Sequence, residues 1–367
     1  VPPLHVETPR TKVRTQGGRI VIERSGEVLA RIALNEIDEV SLSAGVEVTG
    51  DALRRLLRSK IAVSWTTRNG VCLGRLGPVG EARWRRIVAQ HALWSDPARR
   101  VVAARSLMTE LHEATVGLVA AHRANHPSAE LKQLHARLRE FEPRIETALS
   151  IDTLRGVEGR MAAIYWQAFS CMLRGEFDFE QRTRRPPQCA VSALLSYGYA
   201  LLANEVTGRI AASGYDPALG FYHVLRPGRP ALALDLMEPW RRRIIDRLVL
   251  RSVNLRNYGA EDFRRAPAGS GVWLTTEAAH RYRQLYDQFM TRTKGCKSCL
   301  RERISRRIQT DLRRLYKEPN EHKEEPTLEP LSESLLHDAP QTTRADRLRH
   351  TVLETASSTG QDCLRSD

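Results

Sequence analysis

Between residues 4 and about 78 the hydrophobic positions follow the two-residue period of half-buried strands. Ile20 and Ile22 alternate with Arg19, Val21 and Glu23, Ser25-Gly26 supplies turn chemistry, and the chain returns over 28–32, which predicts a hairpin. Short strand-like runs follow at 39–43, 46–49, 62–66 and 71–76. Between them Leu53, Leu56 and Leu57 have helical spacing, with Thr49 as the cap. No cluster of catalytic residue types lies in this stretch, so it reads as an assembly module.

Gly74, Gly77, Pro78 and Gly80 form a breaker-rich hinge, and beyond it the period becomes helical. Val101, Val102, Arg105, Met108, Leu111 and Leu118 mark one long helix. Leu131, Leu134, Leu138, Phe141 and Ile145 mark another after the His126-Pro127-Ser128 break. Further helices are predicted over about 153–173, 190–213, 238–257 and 275–316, the last interrupted near Gly295. Consecutive helices with short breaks predict a bundle. The expected fold class is therefore α+β in two domains: an N-terminal β-sandwich over 4–80 and a larger all-α catalytic domain over 85–316. From Lys317 to Asp367 the composition shifts to Glu, Pro, Ser and Thr, which predicts a disordered C-terminal tail.

Composition narrows the partners. The 367 residues carry a formal net charge of +14, mostly arginine, which favours a polyanion, nucleic acid first. Six scattered cysteines make no disulfide framework, and a reducing compartment, the cytoplasm, is expected. No apolar run approaches the roughly 20 residues a membrane span needs, so no membrane partner is expected. The chain starts Val-Pro-Pro-Leu-His, with no signal-peptide pattern; the missing Met suggests a piece cut from something longer.

Candidate chemistry concentrates between Gly220 and Asp246. His223, Asp235 and Glu238 stand among apolar residues with Arg226, Arg229 and Arg241 to Arg243 nearby. Carboxylates plus imidazole suit Mg²⁺ or Mn²⁺, and arginines suit phosphate. Asp235 and Glu238 are three apart and share a helical face; Pro239 fits a first helical turn, which would set both acids near the positive end. Glu158, between Gly156 and Gly159 at the start of an apolar helix, is a third candidate ligand, with a helix-start acid favoured by the dipole as the alternative reading. Cys296-Lys-Ser-Cys299, with His280 or His322, is a weak zinc pattern that two ordinary thiols also explain.

Four ordered segments carry a resemblance: Leu154-Arg-Gly-Val-Glu-Gly-Arg-Met-Ala162, Ala193-Leu-Leu-Ser-Tyr-Gly-Tyr-Ala-Leu-Leu202, Gly214-Tyr-Asp-Pro-Ala-Leu-Gly-Phe-Tyr-His223 and Leu234-Asp-Leu-Met-Glu-Pro-Trp-Arg241. Over residues 4 to 316 the chain resembles the CRISPR-associated spacer-acquisition integrases, the first of the numbered CRISPR-associated proteins. The resemblance implies a metal-dependent DNA integrase and endonuclease. Its catalytic metal site would be Glu158, His223 and Glu238, with Asp235 an accessory acid, holding Mg²⁺ or Mn²⁺. A 3′-hydroxyl of a short DNA fragment would attack a CRISPR repeat phosphate, with water as the nucleophile in the nuclease reaction. Tyr165 would pack against DNA, and Arg184, Arg185, Arg226, Arg229, Arg241 and Arg242 would contact phosphates. The basic runs 83–86, 182–185 and 301–307 would track the duplex, though a solvated face also explains each. Implied partners are double-stranded DNA, a second copy in a homodimer, and a small ferredoxin-like CRISPR-associated protein. A fused or associated adaptation nuclease is a further one. Ser192 stands where the family usually carries Asn, which implies an altered supporting hydrogen bond. Two alternatives stay open: a non-catalytic basic DNA-binding scaffold, and an RNA-binding helical protein.

Overall fold

A computed structural model describes residues 4–316 apart from 7, 38, 44, 68–71, 78–82, 175–176, 185, 266–270 and 294–297. The described residues divide into two compact units, 4–67 with 72–77, and 83–316. Arg185, Cys296, His322 and the expected tail lie outside the described residues.

The first unit runs β1 (Leu4–Val6), β2 (Thr11–Gln16), β3 (Arg19–Arg24), β4 (Glu27–Ala33), β5 (Glu39–Ser43), β6 (Glu47–Val48), α1 (Gly50–Arg58), β7 (Ala62–Thr66) and β8 (Cys72–Leu76). One sheet has the order β4-β3-β2-β6 and the other β1-β5-β7-β8. Val13, Ile20 and Ile22 from the first sheet, Val6, Val40, Leu42 and Val63 from the second, and Leu56 from α1 share one buried core, the interior of a β-sandwich. The predicted hairpin is β3–β4. Ser25 (φ 51°) and Gly26 (φ 86°) both take positive φ, which matches the right-handed twist of the flanking strands. Thr49 caps α1 by accepting the Ala52 N–H.

The second unit contains α2 (Arg83–Ser95), α3 (Pro97–Asn125), α4 (Ala129–Arg139), α5 (Glu142–Glu146), α6 (Ile151–Met172) and α7 (Ala190–Ala212). α8 (Ala231–Trp240) then continues through a π-helical segment, Arg241–Asp246, into α9 (Arg247–Asn254). A hairpin of β9 (Phe263–Arg265) and β10 (Val272–Leu274) precedes α10 (Thr276–Thr291) and α11 (Leu300–Leu315). Polar caps fix several starts: Asp96 accepts the N–H groups of Ala98 and Arg99, and Ser128, Ser150 and Thr275 accept those of Leu131, Thr153 and Ala278. α6 buries Leu154, Val157, Met161, Tyr165, Ala168, Phe169 and Met172, a stripe at three- and four-residue spacing. α7 is buried on most of its circumference. A Cβ at its Gly198 would lie 2.6 Å from Ile245 Cγ2, so only glycine fits there.

Two sequence expectations need correction. The helix predicted from Glu238 starts seven residues earlier, at Ala231, so Pro239 lies inside it and both acids sit beyond its first turn. Glu158 is likewise two turns into α6 rather than at its start, so the helix-dipole argument applies to none of the three acids.

Candidate functional site

The site is built on the loop Gly220–His223, gripped from both sides. Asp235, fully buried on α8, accepts the N–H of Phe221 (2.8 Å) and Tyr222 (3.0 Å) on one oxygen and that of His223 (2.9 Å) on the other. The outward carbonyls are held by arginines: Arg100 Nε donates to Phe221 O (3.0 Å) and Arg155 Nη2 to Tyr222 O (2.7 Å). Accepting several N–H donors offsets the cost of burying the Asp235 carboxyl group. The grip also demands Gly220, because a Cβ there would sit 2.6 Å from Asp235 Oδ2 and 2.7 Å from the Ala231 carbonyl carbon.

Asp235 additionally engages the imidazole, its Oδ1 lying 2.6 Å from His223 Nδ1. With the proton on Nδ1 facing the carboxylate, the Nε2 lone pair is the one available to a metal, the carboxylate–histidine arrangement of metal sites. Asp235 is thus engaged on both oxygens, and its place in the expected site is that of an orienting acid.

Glu158 approaches from α6, half-buried, and its Oε2 accepts the Tyr222 hydroxyl at 2.7 Å. A Cβ on Gly156 or on Gly159 would meet no atom within 4 Å, so the helix surface flanking Glu158 is open to a ligand. Burial, reinforced by the Glu158 and Glu238 carboxylates, pushes the Tyr222 phenol far above its usual range, so it stays a donor.

Glu238 is 4% exposed. Arg241 Nη1 donates to its Oε1 (3.2 Å) and lies 3.1 Å from Oε2, but out of line for a hydrogen bond, which leaves Oε2 buried without a donor. A buried carboxylate oxygen lacking a donor costs about 1–3 kcal/mol, and a cation would relieve it. Among the described residues no three His, Cys, Asp or Glu side chains stand close enough together to hold a metal ion as placed. The donor chemistry nevertheless fits a hard divalent cation: an imidazole nitrogen, a buried carboxylate oxygen that accepts no hydrogen bond and a second, half-exposed carboxylate.

The expected phosphate contacts divide. Arg184 and Arg226 are exposed and Arg229 is half-buried. Arg241 is spoken for by Glu238, with its guanidinium 5.1 Å from the Tyr199 ring. Tyr165 and Arg242 are corrections: both are buried, Tyr165 completely. Asp246 accepts from the hydroxyls of Tyr165 and Tyr199 and from Arg242 Nη1 (2.8 Å), and Arg242 lies 3.8 Å over the Tyr165 ring. The pair closes a core network and presents nothing to DNA. Arg301, buried, and Arg307, half-buried, are also taken up by ion pairs, Arg301 bonding to Glu205 and Asp287 and Arg307 to Glu110 and Asp311. Ser192 is buried and its hydroxyl oxygen accepts the Thr183 N–H at 3.3 Å, so a supporting bond exists at that position. Cys299 is a free thiol at the start of α11, and His280 Nε2 is 3.0 Å from Gln284.

Sequence reasoning missed Gly220, Tyr222, Arg100 and Arg155. Arg155 carried a usable signal, since it lies three residues before Glu158 on one helix and shares its face. Among the described residues no helix is long and apolar enough to cross a membrane.

The sequence pattern of the family described as "CRISPR associated protein Cas1" matches residues 4–288. A Cas4 exonuclease/Cas1 endonuclease fusion of Rhodospirillum rubrum is 37% identical over 278 residues, 74% of this chain and 47% of the fusion, so the chain spans about half of that relative. Two solved structures share the fold. A casposase bound to integration product has TM-score 0.74 and 20% identity, covering 96% of this chain and 99% of the casposase. A Cas6-RT-Cas1–Cas2 complex has TM-score 0.71 and 24% identity, covering 86% of this chain and 35% of its counterpart. With the sandwich, the helical unit and a match through most of both, the chain belongs to the Cas1 family of CRISPR-associated proteins.

Proposed function

We propose that this chain is a metal-dependent DNA integrase and endonuclease that inserts short DNA fragments into a CRISPR repeat. The observation that supports it most is the arrangement around one loop. His223 is oriented by Asp235, Glu158 by Tyr222, and Glu238 retains a buried oxygen without a hydrogen bond. Glu158, His223 and Glu238 would hold Mg²⁺ or Mn²⁺. When bound, the cation supplies Lewis acidity at the scissile phosphate and at the leaving oxygen.

The protein's own groups do the rest. Asp235 keeps the His223 proton on Nδ1, so the ring offers a lone pair rather than a second donor. Arg241 partly neutralises Glu238, easing the approach of a phosphate to an acidic pocket. Arg184 and Arg226, which are exposed, would contact backbone phosphates. In the integration step the fragment's 3′-oxygen forms a bond to repeat phosphorus as the repeat's own 3′-oxygen leaves and takes up a proton. One phosphodiester replaces another, so no ATP is needed.

The proposed partners are duplex DNA, a second copy of the chain, and a small Cas2-type protein as in the solved Cas1–Cas2 assembly. A Cas4-like nuclease, fused or associated, is supported by the R. rubrum relative. The reaction would take place in the cytoplasm. The test is strand transfer of short 3′-hydroxyl duplexes into a supercoiled plasmid carrying a CRISPR repeat, with Mg²⁺ or Mn²⁺ and the small partner. Joined product that disappears with Glu158→Ala, His223→Ala or EDTA is expected. DNA binding with no joining under either metal would replace the integrase with a non-catalytic scaffold.

A further inference from the structure

We infer that a pocket between α2, the end of α7 and α11 binds a phosphomonoester, the 5′-phosphate of a DNA fragment. The pocket stands on its own geometry; only DNA as the source of the phosphate rests on the function proposed above. The cavity measures about 270 Å³, and its polar lining is Arg86 from α2, Arg313 and Gln309 from α11, and Ser213 and Tyr215 just after α7, with no acidic residue in the wall. Arg86 is half-buried and held in place. Its guanidinium lies 5.7 Å from the Tyr215 ring, and a Cβ at Gly214 would collide with its Nη1. Among the described residues neither Arg86 nor the exposed Arg313 has a hydrogen bond or an ion pair, so no carboxylate neutralises either charge.

The two cations converge. Burial raises the Tyr215 phenol, and the charges of Arg86 and Arg313 both oppose that rise, so both act on one hydroxyl, which stays a donor. The Ser213 hydroxyl proton is already given to the Arg209 carbonyl at 2.9 Å, which leaves the guanidiniums, the phenol and the Gln309 amide as donors. A terminal phosphate carries about −1.5 to −2 charge at pH 7 and three strong acceptor oxygens. Two guanidiniums without a counter-charge match it better than they match the single charge of a phosphodiester. A concave site also admits a strand end, whereas a duplex backbone needs an open surface. Hydrolysis of DNA between phosphorus and the 3′-oxygen puts the water oxygen on phosphorus and its proton on the 3′-oxygen. The cut that yields the 3′-hydroxyl needed for joining therefore yields the 5′-phosphate as well.

The experiment uses the full chain and short duplexes that differ only in carrying a 5′-phosphate or a 5′-hydroxyl, with binding followed by fluorescence anisotropy at fixed ionic strength. The expected result is an about tenfold preference for the phosphorylated duplex, falling to about twofold in Arg86→Gln and in Arg313→Ala. Arg313 is exposed, so its substitution leaves the fold in place should Arg86→Gln disturb it. Arg58→Ala, which removes an exposed charge from α1, should keep the preference. Inorganic phosphate, titrated by calorimetry, should bind wild type and lose that binding in Arg313→Ala. Such phosphate binding without a duplex preference would overturn DNA as the source and assign the pocket to a free phosphomonoester. A preference that survives Arg313→Ala, or that Arg58→Ala removes equally, overturns the pocket, as does phosphate binding indifferent to Arg313→Ala. Should neither duplex bind at all, the DNA reading fails, while the calorimetry still decides the pocket.

Discussion

His122 and His126 stand one turn apart at the end of α3, their ring centroids 4.9 Å apart. Burial first, then the charges of His126 and Arg174, lower His122 to about 4. The unfolded chain binds a proton at this residue from about pH 6.5 downward while the folded chain does not, so folding stability falls as pH drops through that window toward 4. Asp311, raised to about 6 chiefly by burial, contributes a slope of opposite sign. The clean measurement is therefore a difference. His122→Gln should gain stability relative to wild type as pH is lowered from about 7 to about 5, followed by urea denaturation at each pH. A constant difference across that range would contradict the assignment. Individual residues were unevenly legible in sequence. His223, Asp235 and Glu238 stood out because charged groups in an apolar stretch need a reason. Tyr165 misled because its chemistry suits a DNA contact, although its spacing with Leu154, Met161 and Phe169 already marked a core stripe. The Tyr222–Glu158 bond joins distant positions, and no local pattern encodes it.

At the scale of elements, β5 and β7 were readable to the residue, β5 because Val40 and Leu42 alternate with polar residues and β7 as a short run buried at most positions. The start of α8 was not. Pro230 offers no side-chain cap, and Pro239 resembles a first-turn proline although it lies near the helix end. A proline within a helix removes one backbone bond, and here the chain widens into the π-helical turn directly afterwards, a change no hydrophobic period records. That turn brings Arg242 and Asp246 inward on the same element whose preceding turn carries Glu238. The other half of the site depends on the loop before α8. Gly220→Ala should cost roughly 1–3 kcal/mol by overpacking against Asp235 and the Ala231–Leu232 backbone. It should also disturb the three N–H bonds that orient His223. Chemical denaturation measures the first effect, and DNA cleavage at saturating metal the second; wild-type values in both would show that the loop is not clamped as described.

For the whole molecule, the excess of positive charge first suggested a polyanion, but the structure distributes the arginines unequally. Arg242, Arg301 and Arg307 are committed to carboxylates within the fold's ion pairs, and Arg100 and Arg155 to carbonyls of the site loop. Those side chains are taken, so individual phosphate contacts fall to other cations, the exposed Arg184 and Arg226 among them. Net charge thus pointed to the class of partner, whereas the site came from buried acids and one imidazole. The most direct check is a crystal of the protein with Mn²⁺, examined by anomalous scattering. A single peak in contact with Glu158, His223 and Glu238, absent in a Glu158→Ala crystal, is the predicted result. No peak among those three residues, in a preparation that still cleaves or joins DNA with Mn²⁺, would contradict the account.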